Sequence, residues 1–202
     1  MKGTYIFLAE GFEITEALST VDVIRRGGIK ISTVSVNENR MVCSSNGIHV
    51  MTDLLFSEFK KDALGPTGDG RMACQNEYPS NGDIMIFPGG MPGSTNLASH
   101  EELMGILAGH FAVGGSVAAI CAAPSVVLGT LDNLKGRKMT CYDGFEAKLI
   151  EKGAEYIRTG VVSDGNIITG RGAGWSIDFG LAIVEHIAGA ANAAKAKAGM
   201  ML

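Results

Sequence analysis

The sequence predicts a single α/β domain, residues 1–202, in which a mostly parallel β-sheet is covered by helices on both faces. Three observations support this fold class. Short apolar segments typical of buried strands alternate with amphipathic segments, the strand-like segments lead directly into turn-rich loops, and 46% of the 202 residues are hydrophobic, enough for one sizeable core. Folds of this class bind ligands beyond the carboxyl ends of their strands.

The N-terminal half contains the clearest strand and helix signals. We predict a buried strand at 4–9, an amphipathic helix at 14–28 that ends at two glycines, and a second strand at 29–36. Asn46–Gly47 separates two strand-like segments, which indicates a β-hairpin. Residues 64–82 are polar and turn-rich, and we interpret them as an exposed insertion within the domain.

The C-terminal half continues the alternation of strands and helices. The predicted elements are a strand at 83–90, a helix from a capping box formed by Ser99 and Glu102 to about Ala112, a strand at 116–120 followed by a helix, a strand at 137–142, a short helix at 145–153, strands around an Asp164–Gly165 turn, and a helix from Trp175 to Ile187. The Ala- and Lys-rich tail, 190–202, is expected to be partly mobile.

Composition argues against several function classes. The net charge of −4 argues against nucleic acid as the main partner. The longest apolar segment is interrupted by a cysteine and a proline, and no signal peptide is visible, so we expect a cytoplasmic protein that does not enter a membrane. The four cysteines share no CxxC spacing and stand apart from the histidines, so we expect reduced thiols and no metal site.

Cys121 is the candidate nucleophile because it lies between a buried strand, Ser116 to Ile120, and a segment with Pro124 in the first turn of a helix. The free N–H groups at a helix N-terminus favour a thiolate. The sequence therefore predicts a thiol pKa well below that of a free cysteine. A small buried core cysteine is the alternative interpretation, but a cysteine at a sharp strand-to-helix turn projects from the sheet.

Two glycines and one glutamate are candidates to act with this thiol. Gly89 and Gly90 follow a buried strand, and with the Ala122 amide they would form an oxyanion pocket. An ordinary strand-to-loop turn is the alternative. Glu16 is the best placed of three nearby glutamates to point at the cleft, where burial would raise its pKa and let it carry a proton. A solvated glutamate that favours the helix N-terminus is the alternative.

The remaining reactive side chains have weaker signals. Cys121 has no histidine beside it in the sequence, which weakens a cysteine–histidine mechanism. Arg171 lies in a strand-to-helix loop and is expected to hold either an anion or an acidic neighbour across the cleft. We expect the other cysteines and all four histidines to be surface or packing residues: Cys43, Cys74, Cys141, His49, His100, His110 and His186.

Taken together, segments along nearly the whole chain resemble the ThiJ/PfpI superfamily, in its DJ-one deglycase branch. These segments are LAEGFEITEA, VDVIRRGGIKI, FPGGMPGSTNL, AAICAAPSVVL, GRKMTCYDGFEAKL and TGRGAGWSIDFGLAIVEHI. The resemblance implies a flavodoxin-like three-layer sandwich. It also implies a homodimer, to which the first helix and the Asn46–Gly47 hairpin are expected to contribute.

The same resemblance implies roles for individual residues. Cys121 matches the family nucleophile, and Glu16 matches a protonated glutamate that hydrogen-bonds it. Gly89, Gly90 and Ala122 match the oxyanion pocket. The implied activity is a cysteine-dependent glyoxalase without cofactor or metal, which converts the small aldehyde methylglyoxal to lactate, or a deglycase of early adducts. The alternatives are a non-enzymatic redox sensor or chaperone that uses oxidation of Cys121, and an amidase or peptidase-like hydrolase.

Three departures from the family pattern refine these expectations. Ala122 stands where the protease-like branch has a histidine, which argues against peptidase activity. Tyr142, a predicted pocket residue together with Arg171, stands where some members have a histidine, so Glu16 is left as the main proton carrier. The change Glu16→Gln is then expected to raise the thiol pKa. Ser45 replaces an arginine that stabilises an oxidised cysteine in some members, so weaker sulfinate sensing is expected.

Overall fold

A mostly parallel sheet forms the centre of the computed structural model, which describes residues 1–64 and 80–202. The strands in this part of the chain are β1 (Thr4–Leu8), β2 (Ile31–Ser35), β3 (Met41–Cys43), β4 (His49–Met51), β5 (Leu54–Leu55), β6 (Ile84–Phe87), β7 (Ser116–Ile120), β8 (Lys138–Met139), β9 (Glu155–Tyr156), β10 (Val161–Asp164) and β11 (Ile167–Gly170). The central sheet has the order β10–β11–β7–β6–β1–β2–β5, and its neighbours are parallel except for β10 and β11.

Helices cover both faces of this sheet, as the sequence predicts for an α/β fold. Within the described residues they are α1 (Ile14–Arg26), α2 (Phe56–Leu64), α3 (Gly93–Ala98), α4 (Glu101–Ala112), α5 (Ala123–Val126), α6 (Glu146–Glu151), α7 (Ser176–Ala188) and α8 (Ala190–Gly199). Short 3₁₀ turns follow at Leu128–Thr130 and Ala173–Trp175. The predicted alternation of strands and helices along the chain is therefore confirmed.

Strand β1 shows how alternation of side chains builds two cores. Tyr5 and Phe7 point to one face, where both rings make edge contacts with Phe59 of α2. Ile6 and Leu8 point to the other face and belong to the cluster that contains the helices α1 and α7. Because successive side chains of a strand point to opposite faces, a fully apolar strand such as this one must be covered on both sides. The three-layer sandwich follows.

Several predicted turns are confirmed. Strands β3 and β4 pair antiparallel around the Asn46–Gly47 turn, where Gly47 has a φ of 78°. Strands β10 and β11 form the second hairpin, around Asp164–Gly165. Strands β1, β6 and β7 are neighbours, so the three loops that follow them lie at one edge of the sheet, as predicted.

Other predictions need correction. The cap of α4 is His100, whose Nδ1 accepts a hydrogen bond from the Leu103 amide, and Ser99 instead ends α3. The strand predicted at 137–142 is only two residues long, because its pairing with β9 ends at Met139 and the Tyr142 amide instead donates to the Cys121 carbonyl. Helix α5 has one turn before the chain changes to a 3₁₀ turn.

The predicted insertion and the predicted mobile tail have different outcomes. The insertion at 64–82 falls mostly on residues 65–79, outside the described residues, whereas Leu64 is the buried last residue of α2. The tail forms α8, for which the sequence pattern predicts no element. Its residues Ala193 and Ala196 are buried, and the helix packs against α7.

Candidate active site

The loops after β1, β6 and β7 meet in one place through backbone contacts. The Glu13 amide donates to the Gly89 carbonyl at 2.9 Å, and the Gly93 amide donates to the Gly11 carbonyl at 3.2 Å. A β-carbon built on Gly89 would lie 2.5 Å from the β-carbon of Cys121. The first two loops are therefore joined directly, and the third, which carries Cys121, packs against Gly89.

Cys121 occupies a strained turn between β7 and α5. Its φ is 66°, in the left-handed region that non-glycine residues seldom adopt, at a cost of about 1–3 kcal/mol. Its amide donates to the Gly170 carbonyl at 2.9 Å, and its carbonyl accepts from the Tyr142 amide at 2.8 Å. These two bonds fix the backbone, so the side chain projects from the end of the sheet, as the sequence predicts.

The Glu16 side chain reaches the same point from α1. It is 1% exposed, and its Oε2 accepts a hydrogen bond from the Gly89 amide at 2.8 Å. The carboxyl also hydrogen-bonds the Cys121 thiol. Its Oε1 is buried and has no hydrogen-bond partner in the described part of the chain. The structure therefore brings together the thiol and the glutamate that were predicted to act together.

Burial controls the protonation of this pair. Burial raises the pKa of Glu16 to about 7, and this outweighs the opposing hydrogen bonds from Gly89 and the thiol. A buried carboxyl that titrates near neutral pH can both accept and return a proton under physiological conditions. Glu16 thus has the property that a proton carrier needs.

The thiol departs from the sequence-based expectation. Burial and the adjacent Glu16 charge raise the pKa of Cys121 to about 12, against hydrogen bonds from the Gly90 and Ala122 amides that favour the thiolate. The predicted lowering is therefore wrong, because burial of the thiol and the neighbouring Glu16 outweigh the hydrogen bonds from the two amides. The two groups titrate as a pair. A proton on Glu16 removes the charge repulsion and makes the thiolate easier to form.

The two glycines have different roles. The Gly89 amide already serves Glu16, so it positions the acid and is not available to an oxyanion. Gly90 has a φ of 88°, and a β-carbon there would lie 2.4 Å from the Glu13 nitrogen. Its amide faces the sulfur together with that of Ala122. The oxyanion pocket predicted from the sequence therefore reduces to the Gly90 and Ala122 amides.

Residues 142–143 and 171–175 line an open groove of about 610 Å³, and the Tyr142 amide in this lining donates to the Cys121 carbonyl. Tyr142 and Trp175 are about half exposed there. Arg171 donates to Asp143 from Nε at 2.8 Å and from Nη2 at 2.6 Å, so it holds an acidic neighbour. Arg158 donates to the same carboxylate at 2.8 Å. These arginines hold the pKa of Asp143 well below its usual range.

Sequence reasoning missed Asp143, Arg158 and the role of Glu13. The Glu13 side chain caps α1 by accepting from the Glu16 amide at 2.6 Å, and its charge contributes to the raised pKa of Glu16. Its position directly before the helix is the available signal for such a cap. The contact of Asp143 with Arg171 spans 28 residues, and neither local pattern nor spacing indicates it.

The histidines lie elsewhere. His110 and His186 bind Asp83 and Ser116 at the start of β6 and β7, at the opposite end of the strands from Cys121. His100 caps α4, and His49 is exposed on β4. In residues 1–64 and 80–202, no group of three or more potential ligands is arranged to hold a metal ion. No helix in the same residues is long and apolar enough to cross a bilayer.

Comparison with known proteins agrees with this architecture. The model of the DJ-1/PfpI family matches residues 2–186. Protein DJ-1 homolog A of Arabidopsis thaliana is 30% identical over 201 residues, and this chain spans 47% of its length. The Parkinson disease protein 7 homolog of Danio rerio is 31% identical over 202 residues, which cover 100% of this chain and 97% of the relative. The glutathione-independent glyoxalase DJR-1.2 of Caenorhabditis elegans is 28% identical over 89% of this chain and 85% of its own.

Solved structures show the same fold. Oxidized Toxoplasma gondii DJ-1 superimposes with a TM-score of 0.84 at 28% identity, covering 100% of this chain and 98% of that one. Drosophila melanogaster DJ-1beta gives the same TM-score, identity and coverage. The flavodoxin-like α/β architecture implied by the sequence is therefore confirmed.

Proposed function

The chain belongs to the DJ-1/PfpI family, and from this premise we propose that it is a cysteine-dependent glyoxalase or deglycase that acts on small 2-oxoaldehydes or their early adducts. The observation that carries the proposal is the contact between the strained Cys121 thiol and the buried Glu16 carboxyl. The name of the Caenorhabditis elegans relative, a glutathione-independent glyoxalase, supports the same activity.

The first step is addition of sulfur to the aldehyde carbon. The Cys121 thiol passes its proton to the Glu16 carboxylate as the carbon–sulfur bond forms, so the high thiol pKa is overcome by transfer within the pair. Negative charge moves from sulfur to the former carbonyl oxygen. The Gly90 and Ala122 amides, which face the sulfur, then stabilise that oxygen. Glu16 returns its proton to that oxygen, which gives a neutral hemithioacetal and restores the Glu16 carboxylate for the next step.

The second step moves a proton between neighbouring carbons. Glu16 removes the proton from the carbon bonded to sulfur and returns one to the adjacent carbon through an enediol, which leaves a thioester of the 2-hydroxy acid. Water cleaves the thioester and regenerates the thiol. The aldehyde carbon is oxidised and the ketone carbon is reduced, so methylglyoxal plus water gives lactate without an external oxidant or a cofactor.

A resting thiolate is what a redox sensor needs, and this site does not favour one. Susceptibility of a cysteine to oxidation follows its thiolate character, which burial and Glu16 reduce here. Ser45, which is exposed, also takes the place of the arginine expected to hold an oxidised cysteine. These contacts support catalysis over oxidation sensing. They also offer no histidine to assist a peptidase-like attack.

We also propose a homodimer. Leu18 on α1 and Met41, Ile48 and Met51 on the β3–β4 hairpin are exposed. The hairpin lies against the start of α1, since the Ser45 amide donates to the Phe12 carbonyl at 2.9 Å. Exposed apolar side chains on adjoining elements are typical of protein interfaces.

The proposed activity is tested by parallel kinetics on methylglyoxal and on a pre-formed methylglyoxal adduct of a small thiol. We expect lactate from methylglyoxal with the wild type and none above background with Cys121→Ser, whereas Cys43→Ser retains activity. If Cys121→Ser keeps turnover, Cys121 is not the nucleophile. Adduct cleavage that exceeds the spontaneous release of free aldehyde would assign the deglycase, and cleavage limited by that release would assign the glyoxalase.

A further inference from the structure

Two residues that hydrogen-bond the Cys121 backbone each stand directly before one member of an ion pair. Its amide donates to the carbonyl of Gly170, which precedes Arg171, and its carbonyl accepts from the amide of Tyr142, which precedes Asp143. Arg171 and Asp143 are themselves joined by the two hydrogen bonds of 2.8 and 2.6 Å. Two backbone bonds and one ion pair therefore close a ring through the strained cysteine.

We propose that Asp143 and Arg171 act as a positioning clamp that holds the Cys121 nucleophile in its reactive geometry. This inference rests on the proposed function for its significance in turnover. A residue in the left-handed region is maintained only when its surroundings fix it. The clamp keeps the Tyr142 and Gly170 segments at a fixed separation, so the sulfur stays opposite the Gly90 and Ala122 amides.

The geometry of this pair differs from that of the neighbouring Arg158–Asp143 pair. Planar, bidentate contact between a guanidinium and a carboxylate fixes orientation as well as distance. Arg158 reaches Asp143 through one nitrogen only, its side chain is 69% exposed, and neither of its chain neighbours bonds to Cys121. Arg158 therefore contributes charge to the cluster, whereas Arg171 contributes position.

Packing near the clamp joins its two segments to each other and to the end of β7. A β-carbon on Gly172 would lie 3.4 Å from the Tyr142 ring, so this ring lies over the Arg171 loop. A β-carbon on Gly170 would lie 2.8 Å from Ile120, directly below the cysteine. Release of the ion pair would let the Tyr142 amide and the Gly170 carbonyl move relative to each other. Because both groups hydrogen-bond Cys121, the cysteine backbone would move with them.

The test measures Cys121 reactivity without any assumed substrate. Alkylation of Cys121 by iodoacetamide at one fixed pH, followed by peptide mass spectrometry, is compared among wild type, Asp143→Asn, Arg171→Gln and the double variant. Because small displacements of a reacting group reduce rates strongly, we expect each single variant to react about fivefold more slowly. The double variant should be no slower than either single variant, and Arg171→Lys should recover part of the rate.

Two controls isolate the clamp. Asp164→Asn removes the carboxylate that pairs with Arg137 at 3.1 Å, and Arg158→Gln removes the second arginine; both are expected to alkylate like wild type. Thermal unfolding of every variant identifies any that fails to fold. If Arg171→Gln fails to fold, the alkylation rate of Arg171→Lys, which keeps the positive charge, is compared with that of the wild type instead. Rates of Asp143→Asn and Arg171→Gln equal to or above wild type, or a double variant whose loss is the product of the single losses, would overturn the proposal.

Turnover separates this inference from the proposed function. With methylglyoxal, the clamp predicts that Asp143→Asn lowers kcat more than it changes KM, because the nucleophile is displaced relative to the Gly90 amide, which lies on a separate loop. If the wild type produces no lactate while alkylation still slows in the clamp variants, the glyoxalase proposal fails and the clamp stands. If turnover and alkylation are unchanged in the variants, the clamp fails and the glyoxalase proposal stands.

Discussion

The Gly89 amide donates a 2.8 Å hydrogen bond to Glu16 Oε2, and a β-carbon at position 89 would lie 2.6 Å from the same oxygen. The Glu16 carboxyl therefore packs directly on the Gly89 backbone, in space that a side chain at position 89 would fill. The same β-carbon would also lie 2.5 Å from that of Cys121. One glycine thus determines how close the acid and the nucleophile can come.

We predict that Gly89→Ala separates the pair and lowers both activity and stability. The added methyl group cannot be accommodated without moving Glu16 or Cys121, and both are held by hydrogen bonds. Overpacking of this kind destabilises by about 1–3 kcal/mol. Chemical denaturation and lactate production are the measurements.

The matched control is Gly109→Ala, at an exposed position of α4 where a β-carbon meets nothing within 4 Å. Because alanine favours a helix interior over glycine by about 1 kcal/mol, this variant should be slightly more stable and fully active. A fully active Gly89→Ala variant would show that the contact between acid and thiol is not required.

Glu16→Gln is predicted to abolish turnover while lowering the pKa of Cys121. In the wild type the glutamate charge is one of the causes that raise the thiol pKa, and the neutral amide removes it. The structure therefore reverses the direction expected from the sequence, where a protonated acid was taken to stabilise the thiolate. Loss of a general acid–base group should reduce turnover by about 10²–10⁴-fold.

The readout for the thiol is the pH profile of Cys121 alkylation. Its midpoint should move to lower pH in Glu16→Gln, although lactate production falls. Cys141→Ser, which leaves this pair intact, serves as the control and should keep the midpoint of the wild type. A midpoint that moves upward would mean that the glutamate is neutral and donates to the sulfur in the resting protein.

Glu16 should also make stability depend on pH. Its pKa is about 7 in the folded protein and 4.5 in the unfolded chain, so the folded state binds more protons between these values. Stability from this group is present below about pH 4.5 and is lost as the pH rises through 7. From the pKa difference, the wild type should lose about 3 kcal/mol over this range.

Glu16→Gln carries no such charge, so it should be more stable than the wild type at pH 8 and similar at pH 4. The free energy of unfolding, measured by urea denaturation at both pH values, gives the comparison. Equal slopes against pH for the two proteins would contradict a raised pKa for Glu16.

The fold and the centre of the site follow from local sequence signals. Apolar strands, the Asn46–Gly47 turn and the loops at the strand ends are short-range patterns, and they place Cys121, Glu16 and Gly90 together. Features that depend on distant contacts do not follow. The Asp143–Arg171 pair joins segments 28 residues apart, and the high thiol pKa depends on how deeply Glu16 is buried beside it. Burial is a property of the folded chain, and a helix-terminus signal alone cannot supply it.

The proposed dimer makes a separate prediction. Ile48 and Met51 are 52% and 69% exposed on the β3–β4 hairpin, and a lysine at either position would bury a charge in an apolar interface. We expect the wild type to be a dimer by light scattering, and Ile48→Lys and Met51→Lys to shift it toward monomer without changing the fold. Val113→Lys, an equally exposed apolar position just after α4, should leave the dimer intact. A dimer that tolerates both hairpin lysines but dissociates with Val113→Lys would place the interface on the opposite layer of the sandwich.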